Sequence, residues 1–179
     1  MQRIFSIPPP FRVPDRTWLS PFLNAKDSES PLPFELLDGF SLAAGMIEPK
    51  SSSKIHVMPF VTQVTFVRKG RLSVKMKGPQ QAHPYLVHAA EGQAALTEPG
   101  EYLQLINDGE EPCEVLYVVS PAYTFEMSPD GRVLYDDSVV LDDGWDALAA
   151  SDWRPSKPTP TLAQRSEAAQ RLALRKASM

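Results

Sequence analysis

Short runs of alternating apolar and polar residues recur about every ten residues between positions 34 and 135. Each run is bounded by Gly, Pro, Asn or Asp, the residues that turns favour. A period of two places successive side chains on opposite faces of a strand. The predicted strands are residues 34–38, 40–47, 54–58, 62–67, 71–76, 85–89, 93–96, 102–106, 114–119 and 133–135, with one more at Phe125. Many short strands at even spacing are typical of an all-β sandwich or jelly roll.

The two ends of the chain interrupt this pattern. Residues 1–34 contain seven prolines and predict an arm laid over the barrel or a neighbouring subunit, with one edge strand. We assign residues 35–135 to the barrel and residues 136–179 to a C-terminal extension with short helices.

The extension carries the helix signals of the sequence. We expect Asp142 or Asp143 to cap a helix through residues 145–150. A second helix is predicted to begin at Thr159 or Thr161 and to end near Ala177, with a thin apolar stripe of Leu162, Ala169 and Ala173.

Composition fits one small domain in a reducing compartment. The 179 residues are long enough to bury one core, and the 18 prolines favour short strands over long helices. The single cysteine, Cys113, lies in an apolar run and is predicted to be a small buried thiol. The first residues lack the apolar run of a signal peptide, and no membrane span is expected. We expect a cytoplasmic protein.

Charge is distributed unevenly near the C-terminus. Residues 126–152 carry eight acids and one base, whereas residues 153–179 carry six bases and one acid. Because the basic tail lacks interleaved aromatic residues and has an acidic neighbour, we expect it to dock on an acidic face of its own or of a partner subunit. Nucleic acid is not the expected partner.

One stretch resembles the first motif of the cupin superfamily. That motif runs glycine, five residues, His-x-His, three or four residues, Glu, six residues and glycine. The chain keeps this spacing from Lys50 through His56, Met58 and Gln63 to Gly70. Two of the residues that serve as metal ligands in the family are therefore replaced, by Met58 and Gln63.

A second stretch resembles the second cupin motif, which runs glycine, five residues, Pro-x-Gly, two residues, His, three residues and Asn. The chain keeps it from Gly92 through Glu98 and Gly100 to Leu103 and Asn107, with Leu103 in place of the ligand His. The resemblance covers about residues 36–120. It implies a single-domain, RmlC-like jelly-roll cupin with a degenerate metal-ligand set, and a homodimer paired through outer sheets.

The resemblance places the candidate site inside the barrel. It implies a semi-apolar cup lined by His56, Met58, Gln63, Tyr102 and Leu103. Thioether and aliphatic side chains do not serve hard divalent ions, and Gln offers only a neutral oxygen. Three alternatives remain at this point: a hydrogen-bonded His56–Gln63 pair in a filled barrel, a pocket that binds a small organic molecule without metal, and a rebuilt metal site.

A rebuilt site needs Fe, Mn or Zn on His56, Gln63 and one further ligand. Gln104, His83, His88 and Glu98 are the candidates in the sequence, and Glu98 is also a candidate general base. This alternative implies an enzyme like the family's dioxygenases, isomerases or lyases. The favoured prediction is a metal-free binding protein, and a third hypothesis is a scaffold whose tail recruits a partner. The sequence does not decide whether the chain is an enzyme.

Overall fold

The computed structural model describes residues 6–24, 39–150 and 153–177. Two six-stranded antiparallel sheets pack face to face, beside a separate hairpin. In spatial order the first sheet contains β1 (Phe11–Arg12), β2 (Trp18–Leu23), β3 (Ser41–Ile47), β11 (Cys113–Ser120), β6 (Thr62–Lys69) and β9 (Ala94–Thr97). The predicted all-β jelly roll is confirmed in this sandwich. Within the described ranges no strand pairing joins the two sheets into a closed barrel.

The second sheet supplies the opposite wall of the core. It contains β14 (Val139–Val140), β5 (His56–Val57), β10 (Tyr102–Asn107), β7 (Arg71–Lys77) and β8 (Tyr85–Ala90), with β4 (Ser51–Ser52) also paired to β10. The hairpin consists of β12 (Phe125–Met127) and β13 (Val133–Asp136), and the helices are α1 (Trp145–Leu148) and α2 (Leu162–Ala177). Neither helix, within the residues that the structure describes, is long and apolar enough to cross a bilayer.

Period-two alternation explains why these strands face one another. On β11 the side chains of Cys113, Val115, Tyr117 and Val119 are buried, and the residues between them are only partly covered. On β7 the same holds for Leu72, Val74 and Met76. Both sets belong to one apolar cluster between the sheets, which we call the inner face. Burial of alternate side chains from both sheets is the main stabilising contact of the fold.

The turn positions of the two motifs are held by residues that suit their backbone geometry. Gly70 and Gly100 have φ angles of 90° and 82°, a region that favours glycine. Asn107 is buried, and its amide donates to the carbonyl oxygens of Ile47 and Glu111 at 3.1 and 2.9 Å. Its Oδ1 accepts from the backbone N–H of Gly109 at 2.9 Å. These residues fix loop geometry, which explains why they are kept where the ligand positions are not.

The N-terminal segment joins the first sheet. Strand β2 pairs with β3 from Trp18 opposite Met46 to Leu23 opposite Leu42, with an irregularity after Pro21. The predicted strand at 34–38 lies outside the described residues. The other strand predictions are confirmed, although the one at 54–58 shortens to β5.

The predicted cap of the first helix is wrong. Gly144 holds the N-cap position of α1 and makes no side-chain capping bond. Asp142 binds Lys54 and Lys157 instead, and Asp143 accepts from Ser156 Oγ at 2.9 Å. Because both carboxylates already have partners, neither is available to the helix end.

The start of α2 was predicted correctly. Gln164 Oε1 accepts from the backbone N–H of Thr161, and Gln164 N–H donates to Thr161 Oγ1, which is a capping box. The predicted apolar stripe is wrong, since Leu162 is exposed and the buried side chains are Ala168 and Leu172. Charged contacts, rather than the stripe, orient this helix.

Three arginines of α2 dock on the chain's own acidic segment. Arg165 donates to both carboxylate oxygens of Asp137, with Nε–Oδ1 at 2.9 Å and Nη2–Oδ2 at 3.0 Å. Arg171 and Arg175 both contact Glu126. Nη2 of Arg171 lies 2.8 Å from Oε2, and Nη2 of Arg175 lies 3.1 Å from Oε1. Asp137 and Glu126 are fully buried under the helix. We call these five residues the arginine seam.

Candidate functional site

His56 lies on the inner face of the sandwich. It stands directly opposite Leu103 in the pairing of β5 with β10, and facing residues of an antiparallel pair project to the same side. Leu103 belongs to the buried apolar cluster, together with Met58. His56, Met58 and Leu103 therefore share one wall of the sandwich.

One nitrogen of His56 is held in place. Nδ1 lies 3.1 Å from the carbonyl oxygen of Lys54 and 3.8 Å from Oδ2 of Asp15. A carbonyl only accepts, so this contact places the proton on Nδ1 and leaves a lone pair on Nε2 in the neutral ring. Nε2 makes no hydrogen bond within the described residues. Two buried side-chain atoms lack a hydrogen-bond partner among the described residues, Thr124 Oγ1 and Trp153 Nε1. Nε2 of His56 is not one of these buried atoms.

Asp15 is oriented toward His56 by its own turn. Its Oδ1 accepts from both the backbone N–H and the hydroxyl of Thr17, each at 2.9 Å, which leaves Oδ2 to face the imidazole. Its carbonyl accepts from the Lys54 backbone N–H at 2.7 Å. The N-terminal segment thus closes over the end of β5. Sequence analysis missed Asp15, because nothing local to a Pro-Asp-Arg-Thr turn indicates which distant strand it meets.

Phenols and a second carboxylate surround this end of the sandwich. Burial, with the charge of Asp15 as a smaller cause, raises the pKa of Tyr117. Burial also raises the pKa of Asp136, although hydrogen bonds from Tyr123 and from the Ser138 backbone N–H oppose that shift. Tyr123 therefore donates its hydroxyl hydrogen to Asp136 and stays protonated at neutral pH. Asp136 is the second carboxylate that the sequence did not reveal.

Gln63 occupies the opposite wall and has its own partner. It faces Val119 and Thr97 across its two neighbouring strands, and its amide donates to Thr65 Oγ1 at 3.1 Å. His56 and Gln63 share no hydrogen bond, so the predicted pair of the filled-barrel alternative is absent from the described contacts.

The family's metal-ligand positions do not fit a metal in this chain. Met58 is 3% and Leu103 0% exposed, and both are packed among aliphatic side chains. Within residues 6–24, 39–150 and 153–177 no three His, Cys, Asp or Glu side chains are grouped so as to hold a metal ion. The positions that match the family's ligands thus offer one imidazole and one amide, which is too weak a donor set for Fe, Mn or Zn.

The remaining candidates lie away from the inner face. Tyr102 projects to the other side of β10 and packs edge-on against Trp153, with ring centroids 5.3 Å apart. Gln104 also points outward, donating to the Ser53 carbonyl and accepting from Trp145 Nε1, both at 2.8 Å. His83, His88 and Glu98 are exposed. Alternation along each strand explains the outward positions of Tyr102 and Gln104, because each is one residue away from a buried neighbour.

Among the residues that the structure describes, two clefts open on the surface, and neither is lined by His56, Met58, Gln63, Tyr102 or Leu103. The larger, about 440 Å³, lies between the β13–β14 region and α2, and we call it the helix cleft. Its lining includes Leu134, Asp136, Val139, Pro160, Glu167 and Arg171. The smaller, about 350 Å³, lies beside Arg16, Lys54 and Trp145.

Comparison with known proteins identifies the fold. No family model and no curated protein matches the chain. An oxalate decarboxylase from Lactobacillus farciminis superposes with a TM-score of 0.55 at 15% identity, over 74% of this chain and 33% of that protein. The Bacillus subtilis oxalate decarboxylase, which has Mn(II) centres, superposes with a TM-score of 0.54 at 13% identity, over 74% of this chain and 29% of that protein. The chain therefore spans about a third of the length of these enzymes.

A structure of a different kind gives the same fold. The cumin domain of Drosophila melanogaster CENP-C superposes with a TM-score of 0.50 at 9% identity, over 62% of this chain and 71% of that domain. Identities this low establish shared architecture and nothing about activity. The chain has a cupin jelly-roll fold, as the two motifs implied.

Proposed function

We propose that this chain is a metal-free cupin that binds a small organic molecule at the inner face beside His56. The observation that carries the proposal is the state of the imidazole: Nδ1 is held by the Lys54 carbonyl and faces Asp15, whereas Nε2 has no partner among the described residues. An oriented ring with one free nitrogen is suited to hold one polar group of a ligand in a fixed position.

The surroundings of His56 support a mostly apolar ligand. Met58 and Leu103 stand on the same wall, and Gln63 and Thr65 supply neutral hydrogen-bonding groups across the core. Binding sites for small molecules combine such apolar linings with a few placed polar groups. Since the ligand has to displace flexible side chains such as Met58, we expect binding to involve local repacking.

The metal-dependent enzyme is the alternative, and metal analysis separates it from the proposal. The Bacillus subtilis neighbour holds Mn(II), but no described residue here supplies the ligands missing at Met58 and Leu103. Protein purified without chelators is analysed for Fe, Mn and Zn. The expected content is well below one metal per chain. About one metal per chain, lost in His56→Ala, contradicts the proposal.

A variant with the ligand set restored is the positive control for a wild type that contains no metal. Met58→His, Gln63→Glu and Leu103→His together restore the family's ligand set around His56. We expect this triple variant to take up a divalent metal under conditions in which the wild type takes up none. Uptake by both proteins, or a wild type whose stability rises on adding Mn or Zn, argues for the enzyme.

Thermal unfolding against a panel of metabolites tests binding itself. A ligand at a hundred times its dissociation constant adds about 2.7 kcal/mol to the free energy of unfolding. We expect at least one compound to stabilise the wild type and to lose its effect in His56→Ala. His88→Ala, an exposed histidine on β8, is the control and keeps the effect. If His56→Ala responds as the wild type does, the site is elsewhere.

We also propose a homodimer that pairs through the outer face of the first sheet. Two rows of apolar side chains cross four strands there: Leu42, Val118, Val64 and Leu96 in one, and Ala44, Leu116, Phe66 and Ala94 in the other. Leu96 is 53% and Phe66 37% exposed. Contiguous apolar surface of this kind marks association sites.

Sedimentation at micromolar concentration tests the dimer. We expect a dimeric wild type and a monomeric Phe66→Glu. Leu86→Glu changes a leucine that is 48% exposed on the outer face of the second sheet, and it is expected to leave the dimer intact. A monomeric wild type, or equal loss in both variants, rules out this face.

A further inference from the structure

The helix cleft is large enough to hold a small molecule. Its volume of about 440 Å³ is within the range of small-molecule pockets. Leu134, Val139, Pro158 and Pro160 give it apolar walls, and Asp136 and Glu167 place carboxylates in it. None of the residues assigned above to the inner-face site lines it.

The charges around the cleft are not balanced in the same way. Asp137 is paired with Arg165, and Glu126 with Arg171 and Arg175. Asp136, next to Asp137 in the chain, has neither Lys nor Arg within salt-bridge distance among the described residues; its partners are Tyr123 and the Ser138 backbone N–H. The charged groups that act on Asp136 are Asp137 and, more weakly and in the opposite sense, His56, and neither forms an ion pair with it among the described residues. A carboxylate removed from water is usually paired with a cation, and no cation is in contact with this one there.

The one cation in the lining is already engaged. Arg171 directs Nε and Nη2 to Glu126, and its Nη1 lies 3.9 Å from Glu167. Lys157, which precedes the proline wall, donates to the Val140 carbonyl and pairs with Asp142. No described cationic side chain in the lining is therefore left to receive an anion, whereas Asp136 is open to a cation.

We propose that the helix cleft binds a small organic cation, a primary amine on an apolar body, with the ammonium group on Asp136. The apolar part lies against Leu134, Val139 and the two prolines, and Glu167 at the rim favours entry of positive charge. This site is separate from the one proposed at His56. It does not depend on that proposal, since the contacts proposed in the cleft do not include His56, although the charge of His56 acts on Asp136.

Calorimetric titration with 2-phenylethylamine tests the site. We expect saturable binding, at least about tenfold tighter than that of 2-phenylethanol or 3-phenylpropionate, which have a similar body but are neutral or anionic. Equal binding of the three compounds, or no saturable binding of the amine, overturns the proposal.

Variants identify the position and the charge. Asp136→Asn is expected to weaken amine binding about tenfold or more, and Glu91→Gln, an exposed acid on a distant turn, to leave it unchanged. Because Asp136→Asn disturbs two hydrogen bonds, Leu134→Trp serves as a second variant: it fills the cleft from a wall residue that is 40% exposed. Its expected effect is a similar loss of amine affinity. Wild-type affinity in either folded variant overturns the proposal, and unchanged affinity in His56→Ala supports a separate site.

Discussion

The inner face and the arginine seam treat buried polar groups in opposite ways. At the inner face the family's ligand positions hold two apolar side chains, one amide and one imidazole. At the seam two carboxylates, Asp137 and Glu126, are fully buried and each is covered by guanidinium groups. The molecule thus keeps the cupin fold, while these two buried carboxylates lie outside the sandwich. The fold can therefore be kept while the residues at the ligand positions change.

The two regions should respond differently to loss of one side chain. At the inner face a deletion leaves a cavity, and its cost follows the lost apolar contacts. At the seam a deletion leaves an uncompensated buried charge, whose cost is larger. Four measurements test this contrast, and they follow in order of decreasing expected effect.

Removal of Arg165 is expected to have the largest effect. Arg165→Ala leaves Asp137 buried without its bidentate partner and also removes the bond to the Ala122 carbonyl at 2.9 Å. We expect a loss of about 3–5 kcal/mol in the free energy of unfolding, measured in urea. Arg154→Ala removes an exposed arginine whose hydrogen bond among the described residues goes to the neighbouring Trp153 carbonyl, and it should change the free energy of unfolding by less than about 0.5 kcal/mol. Similar losses in both would show that the seam contributes little.

Truncation of the inner face comes second. Leu103→Ala should cost about 3 kcal/mol, because Leu103 is completely buried. Leu103→Met keeps the volume and should cost less than about 1.5 kcal/mol. A loss in Leu103→Ala as small as that in Leu103→Met would mean that the core already contains space beside His56, which favours a preformed pocket.

Asp136 gives a smaller, pH-dependent effect. Its pKa is raised above the ordinary 3.8, mainly by burial, so its protonated form is the one that folding favours. That stabilisation is complete below 3.8 and is lost as pH rises through the folded-state pKa. Relative to the wild type, Asp136→Asn should therefore gain stability as pH rises from about 4 to the folded-state pKa, by at most about 1.4 kcal/mol per pH unit. Urea unfolding over this range measures the difference in the free energy of unfolding between the variant and the wild type. A difference that falls as pH rises would mean that Asp136 is paired with a cation in the folded protein.

The rate at which the Cys113 thiol reacts measures the rigidity of the inner face, and this measurement perturbs the protein least. The thiol is buried, and burial raises its pKa to about 11, with Glu114 as a smaller cause. Reaction with a thiol reagent near pH 8 should be limited by opening of the sandwich and at least about a hundredfold slower than that of Ala90→Cys, an exposed position on β8. Arg165→Ala should leave the rate little changed if the seam opens separately from the core. Fast labelling of the wild type would show a loosely packed inner face.

Prediction from sequence succeeded where the pattern is local. Alternation located the strands, motif spacing located Gly70, Gly100 and Asn107, and Thr161 with Gln164 located the start of α2. It failed where a side chain's partner is distant in the chain. The acids at 142 and 143 looked like helix caps but bind Lys54, Lys157 and Ser156, and the buried face of α2 was assigned to the wrong residues.

The sequence by itself determined the cupin frame, because strand periodicity and turn residues act over a few neighbouring positions. It also determined that Met58 and Leu103 stand where the family holds ligands. Only the tertiary structure decided that Asp15 faces His56, that Asp136 lines a cleft, and that the basic tail covers the chain's own buried acids. These contacts join residues up to 49 positions apart, as in the pair of Arg175 with Glu126, and their energy depends on burial and charge pairing, which exist only once the sheets have packed.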